Sequence, residues 1–327
     1  MLGEFDLIDR YFAPLAAGAP GAFGLRNDAA LLDPAPGHSV VVTTDAIVAG
    51  VHFLPGDQAG LVARKLLRIN LSDLAAMGAK ARSYVLAMAL SPELDEAWVV
   101  AFVEGLRADQ DEFGIVLLGG DTVRTPGPLT LALTAFGEVP KGAVLTRSGA
   151  RVGDDIYVSG TIGDGALGLK VARGELADLA AADRAELVDR YHVPRPRLAL
   201  GQALVATGGL ATAALDVSDG LVADLGHMAA GADLAAEIEA VAVPLSAPAR
   251  LALHGDAVLR EAILCGGDDY ELLFTAPPGA AAAVAALAIE VALPLTRIGR
   301  MAAGTGVRVV DEAGAPIMLE KAGWSHF

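Results

Sequence analysis

Val41-Val42-Thr43-Thr44-Asp45 is an apolar, β-branched run that ends on a carboxylate, and Ala59 to Gly78 follows it with apolar residues at helical spacing and a glycine stop. The helical stretch contains Asn70-Leu71-Ser72-Asp73-Leu74-Ala75-Ala76-Met77-Gly78, so a second aspartate follows the first on a different element. Strand and helix signals alternate outward from this pair. Tyr84–Leu90, Ile115–Leu118 and Leu129–Val139 read as strands, and Asp95–Phe113 reads as an amphipathic helix. A stretch rich in Pro and Gly, Pro140 to Gly153, interrupts the pattern. It restarts with strands at Asp155–Ser159, Ala211–Val217 and Tyr270–Thr275. Helices are expected at Ala166–Arg173, Arg197–Ala206, Gly220–Ala230 and Ala280–Leu287, and a terminal hairpin over Leu295–Val310. The expectation is an α/β chain, layered in the α+β manner, in two halves joined near residue 145.

Composition narrows the function classes. The 327 residues are 54% hydrophobic, enough for a sizeable core, and disorder is excluded as a global description. With 24 basic against 40 acidic side chains the formal net charge is −16, which argues against a nucleic-acid partner. The single cysteine, Cys265, rules out an internal disulfide and a multi-cysteine metal site. The start, Met1-Leu2-Gly3-Glu4, has no basic and apolar leader, and no apolar run approaches the roughly 18 residues a membrane helix needs. A cytoplasmic protein without a membrane partner is expected.

Common phosphate and hydrolase motifs are missing. No Gly-Lys pair provides a Walker loop, Gly304-Thr305-Gly306 lacks the third glycine of the dinucleotide fingerprint, and neither His-Glu-x-x-His nor Gly-x-Ser-x-Gly occurs. Instead, aspartates stand beside small or hydroxyl residues near the expected strand ends: Asp28, Asp45, Asp73, Asp121, Asp216 and Asp219. Oxygen donors of this kind suit Mg²⁺. Two carboxylates ~4 Å apart repel by about 4 kcal/mol at an effective dielectric of 20, so convergence would require cations or protonation between them. An Asp before a helix is also an ordinary N-cap, and for Asp219 the cap and the metal role stay open together.

The motifs carry a resemblance. Thr43-Thr44-Asp45 with Gly50-Val51-His52-Phe53, the Asn70–Ala79 stretch, Gly119-Gly120-Asp121-Thr122 and Thr146-Arg147-Ser148-Gly149-Ala150 come in order. They are followed by Asp216-Val217-Ser218-Asp219-Gly220-Leu221, Gly266-Gly267-Asp268-Asp269-Tyr270-Glu271-Leu272 and the closing Gly323-Trp324-Ser325-His326-Phe327. In this order the sequence resembles the thiamine-monophosphate kinase family, within the aminoimidazole ribonucleotide synthetase-like superfamily.

The resemblance implies a two-domain fold whose N-terminal domains pair in a homodimer. Residues 1–145 would bind ATP and Mg²⁺ and dimerise, and residues 146–327 would complete the active site. It implies that ATP and thiamine monophosphate react in line, without a general base, with several Mg²⁺ ions held by Asp28, Thr43, Thr44, Asp45, Asp73, Asp121, Asp216 and Asp219. Asp45, Asp73, Asp121 and Asp216 carry the metal-assisted catalysis. ATP contacts fall on Gly120, Asp121, Arg147 and Ser218, and substrate contacts on His52, Asp268 and Trp324. Two positions depart from the family: Arg26-Asn27 stand where Gly-Asp is usual, and Asp268 where Glu is usual. A synthetase-like ligase and a catalytically silent Mg²⁺-nucleotide-binding dimer are the competing readings.

Overall fold

The structure, a computed structural model, describes residues 4–320, 323 and 324. The terminal Ser325-His326-Phe327 of the closing motif lies outside them, as does the Met1–Gly3 start. The chain divides into two compact units, Met1–Leu74 with Ala79–Gly142, and Ala75–Gly78 with Ala143–Phe327.

The first unit opens with short helical turns, beginning with α1 (Glu4–Leu7) and ending at Leu25. Then follow β1 (His38–Val48), α2 (Ala59–Ala76), β2 (Lys80–Leu90), α3 (Glu96–Phe113), β3 (Val116–Arg124) and β4 (Thr130–Pro140). Local chemistry delimits α3. The Asp95 side chain accepts from the Trp98 N–H at 2.9 Å, and Gly114 closes the helix at φ 65°, a left-handed conformation that glycine adopts without a Cβ penalty. The sheet runs β1-β4-β2-β3, with only β2 and β3 parallel, joined by the α3 crossover. The two strands approach closely: a Cβ on Gly120 would stand 2.0 Å from the Leu86 carbonyl oxygen, so only glycine fits.

The second unit contains β5 (Asp155–Ser159), α4 (Asp164–Ala172), α5 (Ala181–His192), α6 (Leu198–Ala206), β6 (Ala213–Asp216), α7 (Leu221–Gly231) and β7 (Ala235–Glu239). It continues with α8 (Ala247–Gly255), α9 (Leu259–Cys265), β8 (Leu272–Ala276), α10 (Ala281–Glu290), β9 (Leu295–Ala302) and β10 (Gly306–Val310). Its sheet order is β10-β7-β9-β5-β8-β6. Every residue of β5 and of β8 is buried, as central strands covered on both faces must be. Ile156, Val158, Leu215, Leu225, Leu273 and Ile298 belong to the larger core of this unit.

Two expectations are corrected. Leu295–Val310 is not a hairpin: β9 and β10 flank β7, which pairs antiparallel with β9 and parallel with β10. Asp45 and Asp121 do not close their strands but lie inside β1 and β3, which run on to Val48 and Arg124. Pairing with β4 and β2 carries both strands past the point where the apolar run ends.

Candidate active site

In the first unit the pleat of β1 sorts the Thr43-Thr44-Asp45 motif. Val41 and Ile47 are buried while Val42, Thr44 and Ala46 are exposed, so Thr43 and Asp45 share the inward face and Thr44 points the other way. The Thr43 hydroxyl donates to Asp73 Oδ2, bringing together residues thirty positions apart on β1 and α2. The Thr44 hydroxyl instead donates to the Leu133 carbonyl at 3.1 Å and accepts from Thr134 at 3.0 Å. Its side chain therefore belongs to the opposite face of the sheet.

A cavity of about 250 Å³ is lined by Asp28, Gly120 and Asp121 together with apolar Phe12, Val85 and Leu118. The aspartates of this unit are otherwise distributed: among the described residues, no three of Asp28, Asp45, Asp73 and Asp121 bring carboxylate oxygens within 4.8 Å of one another. Repulsion between unscreened carboxylates favours such spacing. The hydroxyl and carboxylate oxygens of Thr43 and Asp73, with Asp45 on the same strand face, make a hard-oxygen donor set of the kind that fits Mg²⁺.

His52 sits in the turn after β1. Its Nδ1 accepts from the Val48 N–H at 3.1 Å, which leaves the proton of the neutral ring on Nε2. Gly50, at φ 82°, permits the tight turn.

In the second unit two loops lie side by side. Asp216 ends β6, paired with Leu272 of β8, and the ladder continues beyond the strands. Val217 N–H donates to Glu271 O at 2.8 Å, Tyr270 N–H to Val217 O at 2.8 Å, and Asp268 N–H to Ser218 O at 2.9 Å. A Cβ on Gly267 would come within 2.2 Å of Ser218 O, and one on Gly220 (φ 126°) within 2.6 Å of Cys265 O. Those glycines are what allow Ser218, Asp219 and Asp268 to be neighbours. Trp324 N–H donates to Asp219 O at 3.0 Å, tying the half-exposed indole to the same loop. Arg147 follows Thr146, whose carbonyl accepts from the Ala214 N–H at 3.0 Å, two residues before Asp216. The Arg147 Cγ lies 3.8 Å from where a Cβ on Gly231 would stand, at the far end of α7.

Asp224, Asp269 and Glu271 had no assigned role in the sequence reading, yet their side chains organise these loops. Asp224 Oδ2 accepts the N–H groups of Ser218, Asp219 and Gly220 at 3.0, 2.9 and 3.1 Å. Asp219, Asp224 and His227 bring ligand atoms within 4.8 Å of one another, and are the only described residues to form such a group. Asp269 Oδ2 and Oδ1 accept from Gly163 and Gly165 N–H at 2.7 and 3.1 Å, while burial pushes this carboxyl up to about 8. Fully buried Glu271 accepts from Ser159 Oγ at 2.6 Å, Arg190 Nη2 at 2.9 Å and Arg197 Nε at 2.6 Å. The signal for Asp224 was its place in the first turn of a helix beginning at Asp219-Gly220, a position suited to gathering loop N–H groups.

Burial, reinforced by the neighbouring Asp219 carboxylate, pushes the Asp224 carboxyl up to about 7, against the three N–H groups that favour its charge. An acid raised above its unfolded value of about 3.9 makes the folded state bind more protons in between, so stability falls as pH rises from about 4 to about 7 and then levels. In metal-free buffer, wild-type thermal midpoints are expected to decline over that range. Asp224→Asn, which keeps an acceptor oxygen, flattens the decline by roughly one to a few kcal/mol. Equal pH profiles for the two proteins would refute this.

Residues 26–139 match the N-terminal domain and residues 151–312 the C-terminal domain of AIR synthase related proteins. The thiamine-monophosphate kinase of Escherichia coli (strain K12) is 40% identical over 326 residues, covering 99% of this chain and 98% of the relative. The crystal structure of thiamine-monophosphate kinase from Stenotrophomonas maltophilia K279a is 46% identical with a TM-score of 0.84, covering 94% of this chain and 96% of that one. A solved structure of AaThiL complexed with AMPPCP and TMP is 30% identical with a TM-score of 0.77, covering 100% and 97%. Among the described residues, no helix is long and apolar enough to cross a membrane.

Proposed function

The chain belongs to the thiamine-monophosphate kinase family, and from that membership we propose that it transfers the γ-phosphoryl group of ATP directly to the phosphate of thiamine monophosphate, yielding thiamine diphosphate and ADP. The observation that carries the reading is the cavity on which Asp28, Gly120 and Asp121 converge. Its apolar wall offers space for a base, and its carboxylates offer donors for the cations that accompany a triphosphate.

The acceptor is a phosphate monoester with a second pKa near 6, so it is already largely ionised at neutral pH and no general base is needed. The difficulty is the approach of two anions, which positioning and positive charge overcome. Mg²⁺, when bound, supplies that charge; Asp28, Asp45, Asp73, Asp121, Asp216, Asp219 and the Thr43 hydroxyl are the groups proposed to hold it. Thr44, with its hydroxyl turned to the other face, has its main-chain oxygen to offer. Gly120 and Asp121 border the nucleotide, and Ser218 presents its loop to the phosphates. Arg147 is assigned to the nucleotide as well. His52, Asp268 and Trp324 are assigned to thiamine monophosphate, with His52 donating from Nε2.

Residues 1–145 are proposed as the ATP, Mg²⁺ and dimerisation domain and 146–327 as the domain that completes the site. β1 is an edge strand with Val40 and Val42 exposed, a surface suited to pairing with a second copy. A cytoplasmic setting matches the substrate pair.

The test is ADP release with Mg²⁺ and ATP, with and without thiamine monophosphate. Substrate-stimulated ADP, with thiamine diphosphate formed in equal amount, is the expected result. ATP binding without stimulation would leave a silent nucleotide-binding protein. Stimulation by formylglycinamidine ribonucleotide instead would identify a synthetase.

A further inference from the structure

We propose that Asp269 is a positioning residue for thiamine monophosphate recognition, acting by fastening the segment that carries Asp268 to the start of α4. The proposal deepens the reading above and rests on its assignment of Asp268 to the substrate.

The segment Asp268-Asp269-Tyr270-Glu271 alternates. Asp269 and Glu271 are buried, while Asp268 and Tyr270 are partly exposed. Both partly exposed residues hold left-handed backbones, φ 73° at Asp268 and φ 52° at Tyr270, a conformation unfavourable for residues with a Cβ. Strain of this kind persists only where surrounding contacts over-determine it. The contacts are specific. The Asp269 carboxyl oxygens, between the two strained residues, take the Gly163 and Gly165 N–H groups at 2.7 and 3.1 Å. Arg190 Nη2 donates to the Asp269 carbonyl at 3.2 Å. Gly165 admits the segment, since a Cβ there would lie 2.2 Å from Asp268 O. Tyr270 Oη donates to Asp268 Oδ1 at 3.3 Å, so the direction of the Asp268 carboxylate depends on both strained backbones.

The two buried carboxylates have separable duties. Glu271 anchors the start of β8 through Ser159, Arg190 and Arg197 and does not need Asp269 for any of those bonds. Asp269 fixes only the turn itself. Its loss should therefore disturb the aim of Asp268 while the strand stays in place. Because Asp268 is one methylene shorter than the usual glutamate of the family, a small backbone displacement is not absorbed by side-chain length.

The experiment compares Asp269→Ala, Asp269→Asn and Gly165→Ala with wild type, measuring KM for thiamine monophosphate, KM for ATP, kcat and thermal midpoint. Asp269→Ala is expected to raise KM for thiamine monophosphate about tenfold while KM for ATP stays within about twofold. Asp269→Asn, which retains one acceptor oxygen, should raise it about threefold. Gly165→Ala tests the same displacement without removing a carboxylate and should give the same substrate-selective loss even where Asp269→Ala fails to fold. An unchanged KM for thiamine monophosphate in all three, or equal rises in both Michaelis constants following the loss of thermal stability, would overturn the proposal. Turnover of thiamine monophosphate by the wild type, with unaltered constants in the variants, sinks this inference alone. Absence of that turnover removes the functional reading and this inference with it.

Discussion

Asp45→Asn is expected to lower kcat on the order of 10²–10³-fold, about 3–4 kcal/mol of lost transition-state stabilisation. Asp45 shares the inward face of β1 with Thr43, whose hydroxyl is bonded to Asp73, so the substitution removes a negative charge from that face with almost no change in shape. If the carboxylate helps to hold a cation between two phosphates, the neutral amide weakens that hold, and the defect should shrink as Mg²⁺ is raised. The coupled ADP-release assay over a Mg²⁺ series reads both effects, and a melting curve confirms that the fold persists. A variant as active as wild type at low Mg²⁺ would remove Asp45 from the metal role. Thr44→Val provides the contrast. Its hydroxyl serves Leu133 and Thr134 on the opposite face, so it should retain most of the activity.

Glu271→Ala is expected to cost about 3–5 kcal/mol of stability, the range seen when one partner of a buried ion pair is removed and the other is left behind. Glu271 has no exposed surface and stands between Arg190, whose side chain is 4% exposed, and Arg197. Two N–H positions of Arg190, at Nε and Nη1, already lack a hydrogen-bond partner. Taking away Glu271 strips both guanidiniums of their main counter-charge in the interior. Glu271→Gln keeps an acceptor for them and should cost about half as much. Urea unfolding of the two variants measures the difference. A loss of less than about 1 kcal/mol for the alanine variant would show that water replaces the carboxylate without penalty.

The residues that the order of motifs singled out and those found at work in the structure overlap without coinciding. The aspartates beside Gly119-Gly120 and in Thr43-Thr44-Asp45 were legible because a charged residue set among apolar, β-branched neighbours is costly without a purpose. The face of each side chain was legible in principle too, since a strand alternates, yet three consecutive positions entered the same set of donors for several ions. Alternation divides them, and Thr44 falls on the other side. Asp224 was legible only through its place in the first turn of the expected helix, and Asp269 and Glu271 were not legible as positioning groups. The partners of Asp269 and Glu271 are backbone N–H groups and arginines whose positions follow from how helices and loops pack, and spacing along the chain carries no record of that. The same holds for β10, whose pairing with β7 rather than β9 depends on which edge of the sheet lies open.

By itself, the amino-acid sequence determined the alternation of elements, the break between the two halves, the ordered aspartate motifs and the family to which the chain belongs. Each of these is written in local patterning: period, turn residues and ordered short motifs. Only the tertiary structure decided which side chains meet, that Thr43 reaches Asp73, that Gly120 must be glycine because Leu86 O stands where a Cβ would be, and that buried carboxylates hold the Ser218 and Asp268 loops together. Except for the local hold of Asp224 on the Ser218 loop, these contacts arise between residues distant in the chain, and they are selected by close packing and by the need of buried polar groups for partners.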